Sequence, residues 1–304
     1  MYLQPIMKRV NIQRVLYGFI FLSIGFSNLI AQELDIQGHR GARGLMPENS
    51  IPAFIRAIDE GVTTLELDVV ITSDRRVLVS HEPFMSADIC LSPIGEEIKK
   101  SEQEDYNIFQ MTAAETTLYD CGSKGNPRFL DQQKMTVVKP LLVEVIDSVE
   151  SYLAARKLPN VNYNIEIKSS EAGDDVFHPS FDKFSDIVYG LLSSRLPAFR
   201  YTIQCFDFRV LKYFHESYKE VKLVALVENE KGVEANIASI GFIPQAYSPY
   251  HILLTEEDVA LCHKKGMKVI PWTVNDRKTM EKLVGWGVDG IITDYPNLAK
   301  GLKR

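Results

Sequence analysis

The sequence predicts a (β/α)8 barrel, the TIM-barrel class, with an inserted subdomain after its second strand. Short apolar, β-branched runs alternate with helical patterns of about 10 to 17 residues along most of the chain. Strands joined in this way lie parallel, because each crossover helix returns the chain to the same end of the sheet. About eight such repeats favour closure into a barrel over an open sheet. One stretch, residues 82–139, breaks the alternation. It is polar and contains Pro83, Pro93, Pro127 and two short helical pieces. A structureless loop of that length is uncommon inside a compact domain, so the stretch reads as a subdomain at the barrel mouth.

The predicted strands, in order, are Asp35–His39, Thr64–Val70, Val77–His81, Asn162–Lys168, Tyr201–Phe206, Lys222–Val227, Ala246–Ser248, Lys268–Thr273 and Gly290–Thr293. Val77–His81 follows its predecessor too closely for a crossover helix and reads as a continuation or partner of that strand. The helices have readable starts. Asn49 or Ser50 precedes Ile51–Glu60, which Gly61 ends, and Asp207 precedes Phe208–Tyr218. Thr255 with Asp258 resembles a capping box ahead of Val259–Lys265, and Gly266 closes that helix. Leu141–Arg156 resumes the helix that the insertion delays.

Residues 1–31 differ from the rest. Lys8, Arg9 and Arg14 stand without any acid ahead of an apolar stretch, Val15 to Ile30, broken by Gly18, Gly25 and Asn28 and followed by Ala31. This is the pattern of a secretory signal peptide cleaved after Ala31. The run is shorter than the roughly 20 apolar residues of a membrane span. The expected mature protein, 32–304, is therefore exported, periplasmic or secreted, with no stable span. Composition is that of a globular protein, 45% hydrophobic and 24% charged, which excludes disordered, collagen-like and coiled-coil chains. The net charge of −6 argues against a nucleic-acid partner. The four cysteines lack zinc-site spacing. In an oxidising compartment Cys90 and Cys121, both in the polar insertion, form a possible disulfide, with two free thiols as the alternative. Cys205 and Cys262 sit in apolar segments and read as core residues.

Barrel strands should be apolar, yet several end in polar groups. The first ends in Gly38-His39-Arg40-Gly41-Ala42-Arg43-Gly44, the second carries Glu66 and Asp68, its continuation ends at His81, and the next carries Glu166 and Lys168. Residues i and i+2 of a strand share a face, and the C-terminal ends of barrel strands open at the functional mouth. Three carboxylates converging there repel one another, and a hard divalent cation with oxygen ligands removes the conflict. A buried ion-pair network with Arg40 and Lys168 is the alternative. His39 and His81 are candidate acid and base, since imidazole titrates near neutrality. The Arg40 guanidinium suits a phosphoryl group.

These residues fall within segments that resemble the glycerophosphodiester phosphodiesterase family. The matching pieces are His39-Arg40-Gly41, Pro47-Glu48-Asn49-Ser50, Glu66-Leu67-Asp68-Val69, Thr72-Ser73-Asp74, Val77-Leu78-Val79-Ser80-His81, Glu166-Ile167-Lys168, Trp272-Thr273-Val274-Asn275 and Asp289-Gly290-Ile291-Ile292-Thr293-Asp294-Tyr295-Pro296. They occur in family order from about Ile36 to Ala299. Glu82 and Cys205 depart from the family, where aspartate and serine are common.

The resemblance implies one divalent cation per chain, calcium or magnesium, held by Glu66, Asp68 and Glu166. It implies His39 and His81 as the general acid/base pair, Arg40 on phosphate and Lys168 as a second charge stabiliser. Trp272 would line the glycerol side of the pocket, or else pack in the barrel core. Glu48 and Asn49 would brace the first loop, unless Asn49 is only a helix cap. The implied reaction is hydrolysis of small-molecule glycerophosphodiesters to sn-glycerol 3-phosphate and an alcohol. A lysophospholipase D or glycerophosphoinositol-type phosphodiesterase is the near alternative, and the polar insertion favours water-soluble head groups. An exported binding protein on a retired barrel is the more distant one. The oligomeric state is not legible.

Overall fold

The structure is a computed structural model that describes residues 1–4 and 34–303. The expected leader and its cleavage after Ala31 lie outside the described residues. The chain divides into two units, Met1–Ala31 and Gln32–Arg304, and the second carries every element below.

Eight parallel strands form a nearly closed barrel. They are β1 (Asp35–Gly38), β2 (Thr64–Ile71), β4 (Asn162–Ile167), β5 (Tyr201–Cys205), β6 (Lys222–Val227), β7 (Ala246–Pro249), β8 (Lys268–Val269) and β9 (Gly290–Thr293). Their order is β8-β7-β6-β5-β4-β2-β1-β9. The short β3 (Val77–Val79) pairs antiparallel with β2, the partner strand expected from its spacing. The predicted strand Lys268–Thr273 shrinks to two residues. Pro271 lacks an amide proton and cannot continue a ladder. The seam between β8 and β9 is instead bridged by Asp289 N–H to Val269 O (2.8 Å), Ile292 N–H to Pro271 O (3.0 Å) and Val274 N–H to Ile292 O (2.9 Å).

Helices cover the outside: α1 (Ile51–Asp59), α3 (Leu142–Arg156), α4 (Phe181–Arg195), α5 (Phe208–Ser217), α6 (Gly232–Ile240), α7 (Glu256–Lys264) and α8 (Arg277–Gly285), with the single-turn α2 (Ala113–Thr116) in the insertion. Their starts follow the caps. Ser50 caps α1, with Pro52 in its first turn, Asp207 caps α5, and Thr255 and Asp258 complete both bonds of a capping box on α7. Each missing cap would cost about 1 kcal/mol. The main core lies between strands and helices, with Leu65, Leu67, Ile165 and Ile203 meeting Phe54, Phe184 and Phe214.

The barrel interior is partly polar. Gln37 Nε2 donates to Asp35 (2.7 Å), and Asn164 Nδ2 donates to Gln37 Oε1 and Gln204 Oε1 (both 2.8 Å). Buried amides are tolerated because they satisfy one another.

Residues 82–139 leave the barrel after β3 and rejoin it at α3. They build a small core of their own, in which Met85, Ile89, Ile98 and Ile108 pack on Val70 and Leu78 of the β2–β3 hairpin. Cys90 and Cys121 are disulfide-bonded within it. Cys205 and Cys262 are free and buried. No helix among the described residues is long and apolar enough to cross a membrane.

Candidate active site

The loop after β1 supplies the first groups, and its backbone explains its composition. Arg40, Gly41 and Asn49 all have positive φ (51°, 86° and 53°). At Gly41 a Cβ would stand 2.6 Å from the Ala53 backbone, so no side chain fits. His39 is fixed from two sides. Its N–H binds Thr293 O at 2.8 Å, and its ring Nδ1 lies 2.6 Å from Asp294 Oδ1. Asp294 also accepts from Arg43 Nε (2.8 Å) and Nη2 (3.1 Å) and from Asn275 Nδ2 (2.7 Å). Burial and the neighbouring Arg43 outweigh Asp294 and bring the His39 imidazole down to about 4. It is therefore neutral at pH 7. With Nδ1 donating to Asp294, Nε2 carries a free lone pair.

Strand register gathers the acids. Asp68 of β2 stands beside Glu166 of β4, and Glu66 lies two residues earlier on the same face. One oxygen from each of Glu66, Asp68 and Glu166 lies within 4.8 Å of the others, and all three residues are buried. Burial pushes Glu66 well above the ordinary carboxylate range, and Asp68 and Glu166 push it further. Burial also raises Glu166, against Lys168, with Asp68 adding to the rise. Burial acts to raise Asp68 too, but His81, Arg40 and Lys168 outweigh it and hold that carboxyl far below its usual value.

Both expectations for this cluster find their parts. Lys168 Nζ donates to Glu166 Oε1 at 2.6 Å, and Arg40 Nε stands 3.4 Å from Asp68 Oδ2. Glu66, in contrast, receives hydrogen bonds from uncharged donors, the Arg40 N–H (2.8 Å) and Gln204 Nε2 (2.7 Å). Asp68 Oδ1 is buried without any hydrogen bond, its closest cation being Lys168 Nζ at 3.8 Å. An unsatisfied buried carboxylate oxygen beside two raised carboxyls suits a hard divalent cation with oxygen ligands, and these three residues fit one.

The loop braces resolve as follows. Ser50, not Asn49, caps α1. Asn49 instead points its Nδ2 to Asp68 Oδ2 (2.9 Å). Glu48 holds Arg40 Nη1 at 2.7 Å. His81 lies across the mouth, its Nδ1 at 2.8 Å from Glu82 Oε1, so that the residue departing from the family pattern orients this ring. Ser80, next to it, accepts from the buried Lys139 (2.8 Å), which burial pulls below the usual lysine value.

A cavity of about 410 Å3 opens over these groups. His39, Arg40, His81, Glu66, Glu166 and Trp272 all line it, whereas Asp68 and Lys168 do not. Trp272 is half-buried: it lines the cavity and donates Nε1–H to Ser248 O at 2.9 Å, and it also packs on the interior cluster of Val224, Ala246, Ile270 and Ile292, so it is both mouth wall and the top of the barrel core. Cys90 and Cys121 do not line the cavity; the insertion reaches it through Arg128.

Several cavity residues carried no role in the sequence reading: Asp294, Asn275, Arg43, Gln204, Glu228 and Tyr250. Asp294 obeys the same rule that found the acids, since it follows the C-terminal end of a barrel strand. Gln204 stands out as an amide inside a strand.

Comparison with known proteins agrees with this geometry. Residues 39–298 match the model of the glycerophosphoryl diester phosphodiesterase family. A glycerophosphodiester phosphodiesterase of Caldanaerobacter subterraneus is 28% identical over 276 residues, covering 88% of this chain and 96% of that one. A crystal structure of a Silicibacter pomeroyi protein assigned to the glycerophosphoryl diester phosphodiesterases superposes with a TM-score of 0.77 at 29% identity, covering 88% of this chain and 92% of that one. An Oleispira antarctica phosphodiesterase, in complex with the product sn-glycerol-3-phosphate, shares the fold with a TM-score of 0.68 at 19% identity, covering 87% of this chain and 94% of that one.

Proposed function

Since this chain belongs to the glycerophosphoryl diester phosphodiesterase family and is a phosphoric diester hydrolase, we propose that it cleaves glycerophosphodiesters to sn-glycerol 3-phosphate and a free alcohol, with His39 as base and His81 as acid. The observation that carries the reading is the meeting of His39, His81 and three clustered buried carboxylates at one end of the barrel, all but Asp68 lining one cavity.

Glu66, Asp68 and Glu166 would hold a divalent cation, calcium or magnesium, which when bound offsets the charge that builds on the phosphoryl oxygens. Arg40, on the cavity wall, would act in the same direction on those oxygens, and Lys168, bonded to Glu166, adds its positive charge to the site. His39 Nε2 takes the proton of the attacking oxygen, that of water or of the adjacent glycerol hydroxyl. The P–O bond to the alcohol breaks as the new one forms, and His81 Nε2 passes its proton to the leaving alkoxide. If the glycerol hydroxyl attacks first, water then opens the cyclic phosphate with the two imidazoles in exchanged roles. Asp294 and Glu82, on the two Nδ1 atoms, keep both Nε2 atoms turned to the cavity. Trp272 flanks the glycerol arm.

The work site is outside the cytoplasm on this reading. The basic-then-apolar residues 1–31 support export, and the Cys90–Cys121 bond suits an oxidising compartment. Purified protein incubated with sn-glycero-3-phosphocholine should release sn-glycerol 3-phosphate. Binding without product would return the retired-barrel reading. Faster turnover of lysophosphatidylcholine or glycerophosphoinositol in the same panel would move the substrate to those classes.

A further inference from the structure

The cavity has two unlike walls. The acids and His39 stand on β1, β2 and β4. Across the ring, at the C-terminal ends of β5 to β8, stand Phe206, Leu226, Glu228, Tyr250 and Trp272. The Trp272 ring is held between neighbours, with Phe206 edge-on at 5.4 Å and 85° and Tyr250 at 5.4 Å and 42°. This is a rigid aromatic corner with one acid beside it.

That acid is unusual among the carboxylates lining the cavity. Glu66 is bonded to Gln204, Glu166 to Lys168 and Asp294 to Arg43 and His39. Among the described residues, the exposed Glu228 carboxylate forms no hydrogen bond and no ion pair. The substrate is itself an anion, so a free carboxylate in its cavity opposes binding unless the substrate brings donors to it. Once covered and unpaired, such a group costs the full desolvation penalty.

We propose that Glu228 is a specificity residue that accepts a hydrogen bond from the terminal hydroxyl of the substrate's glycerol arm, whose C–H face lies against Trp272 and Tyr250. This rests on the proposed glycerophosphodiester reading and goes further by assigning the polyol end to a site. A carboxylate accepts a short, charge-assisted bond from such a hydroxyl. Aromatic faces accept the apolar side of the same group. A quaternary ammonium arm would also be drawn to aromatic faces. It has no N–H, however, and at an exposed carboxylate its charge alone is screened by salt. The hydroxyl arm is the one that satisfies Glu228 directly.

The test uses the full protein with calcium or magnesium in excess. Inhibition constants are measured for sn-glycerol 3-phosphate, ethyl phosphate and phosphocholine on the wild type, Glu228→Gln and Glu228→Leu. Glu228→Leu should lower the preference for sn-glycerol 3-phosphate over ethyl phosphate by about 10- to 100-fold, with Glu228→Gln between it and the wild type. An unchanged ratio in both variants overturns the proposal. So does a loss that falls on phosphocholine instead. If the wild type does not hydrolyse sn-glycero-3-phosphocholine at all, the functional reading itself fails; if it does and the ratio stays constant, the role of Glu228 alone is wrong.

Discussion

His39 and Asp294 lie 255 residues apart and meet at 2.6 Å, Nδ1 to Oδ1, where β1 and β9 pair. The contact fixes the tautomer that leaves Nε2 free, and Arg43 and Asn275 in turn hold Asp294. Asp294→Asn keeps the size of the side chain but offers the ring a different partner. Its kcat is expected to fall about 10²–10⁴-fold with KM little changed, since the loss concerns proton transfer and not substrate grip. A variant that keeps near wild-type kcat on sn-glycero-3-phosphocholine would show that Asp294 is only structural.

The two histidines can be told apart by the leaving group. p-Nitrophenolate leaves without a proton, whereas a choline alkoxide needs one. With glycerophospho-p-nitrophenol as substrate, His81→Ala should recover most of the activity it loses on sn-glycero-3-phosphocholine. His39→Ala should stay at least about 10²-fold down on both. The opposite pattern would exchange the roles of acid and base.

Removal of the cation should be visible without an assay of turnover. A ligand held at 100 times its Kd stabilises the folded state by about 2.7 kcal/mol. Calcium or magnesium should therefore raise the wild-type Tm, and a chelator should reverse the rise and stop hydrolysis. Glu66→Gln should abolish the shift. Gln204→Leu should weaken it, because Gln204 Nε2 orients Glu66 Oε1 at 2.7 Å while Asn164 occupies its other end at 2.8 Å. A Tm blind to both cations would remove the metal from the scheme.

Much of this arrangement was legible in the sequence, for stated physical reasons. Strand–helix alternation is a local pattern, so β1 to β9 and their caps could be placed with boundary errors of a few residues. Only the strand at Lys268 shrank strongly, because Pro271 interrupts it. Glu66, Asp68, Glu166, His39 and His81 stood out because charged groups at apolar strand ends are costly. Partners made by closure were not legible. Asp294 reaches His39 only once the last strand pairs with the first, and Gln204 meets Glu66 across the barrel interior. Glu228 sits in an acidic run, Glu228-Asn229-Glu230, that reads as ordinary surface until the cavity is seen.

Glu48 gives the acid limb of stability a sign and a window. Burial acts to raise its carboxyl, but Arg40, Arg43 and His81 outweigh it and bring it down to about 2, from an ordinary 4.5. A depressed carboxyl contributes its full stability above the unfolded value and loses it as pH falls toward the folded one. The wild type should thus lose about 3 kcal/mol between pH 4.5 and 2 that Glu48→Gln does not lose. Urea midpoints at pH 6 and pH 3 should already show about 2 kcal/mol of that difference. Equal pH slopes in the two proteins would mean that the Glu48–Arg40 pair is not charged as drawn.

The insertion depends on its staple. Its core is small, and Cys90 and Cys121 close a loop with a sequence separation of 31. Loop closure of that length restricts the unfolded chain by about 3–4 kcal/mol. The double substitution Cys90→Ser/Cys121→Ser should lower stability by up to that amount. It should also render Tm insensitive to dithiothreitol, which lowers it in the wild type. Because Arg128 and the Lys139–Ser80 bond join the insertion to the mouth, hydrolysis should weaken at temperatures where the barrel is still folded. Protease cleavage confined to residues 82–139 in the variant would show that local opening. If the variant and the wild type are digested alike, the bond adds nothing to the order of the mouth.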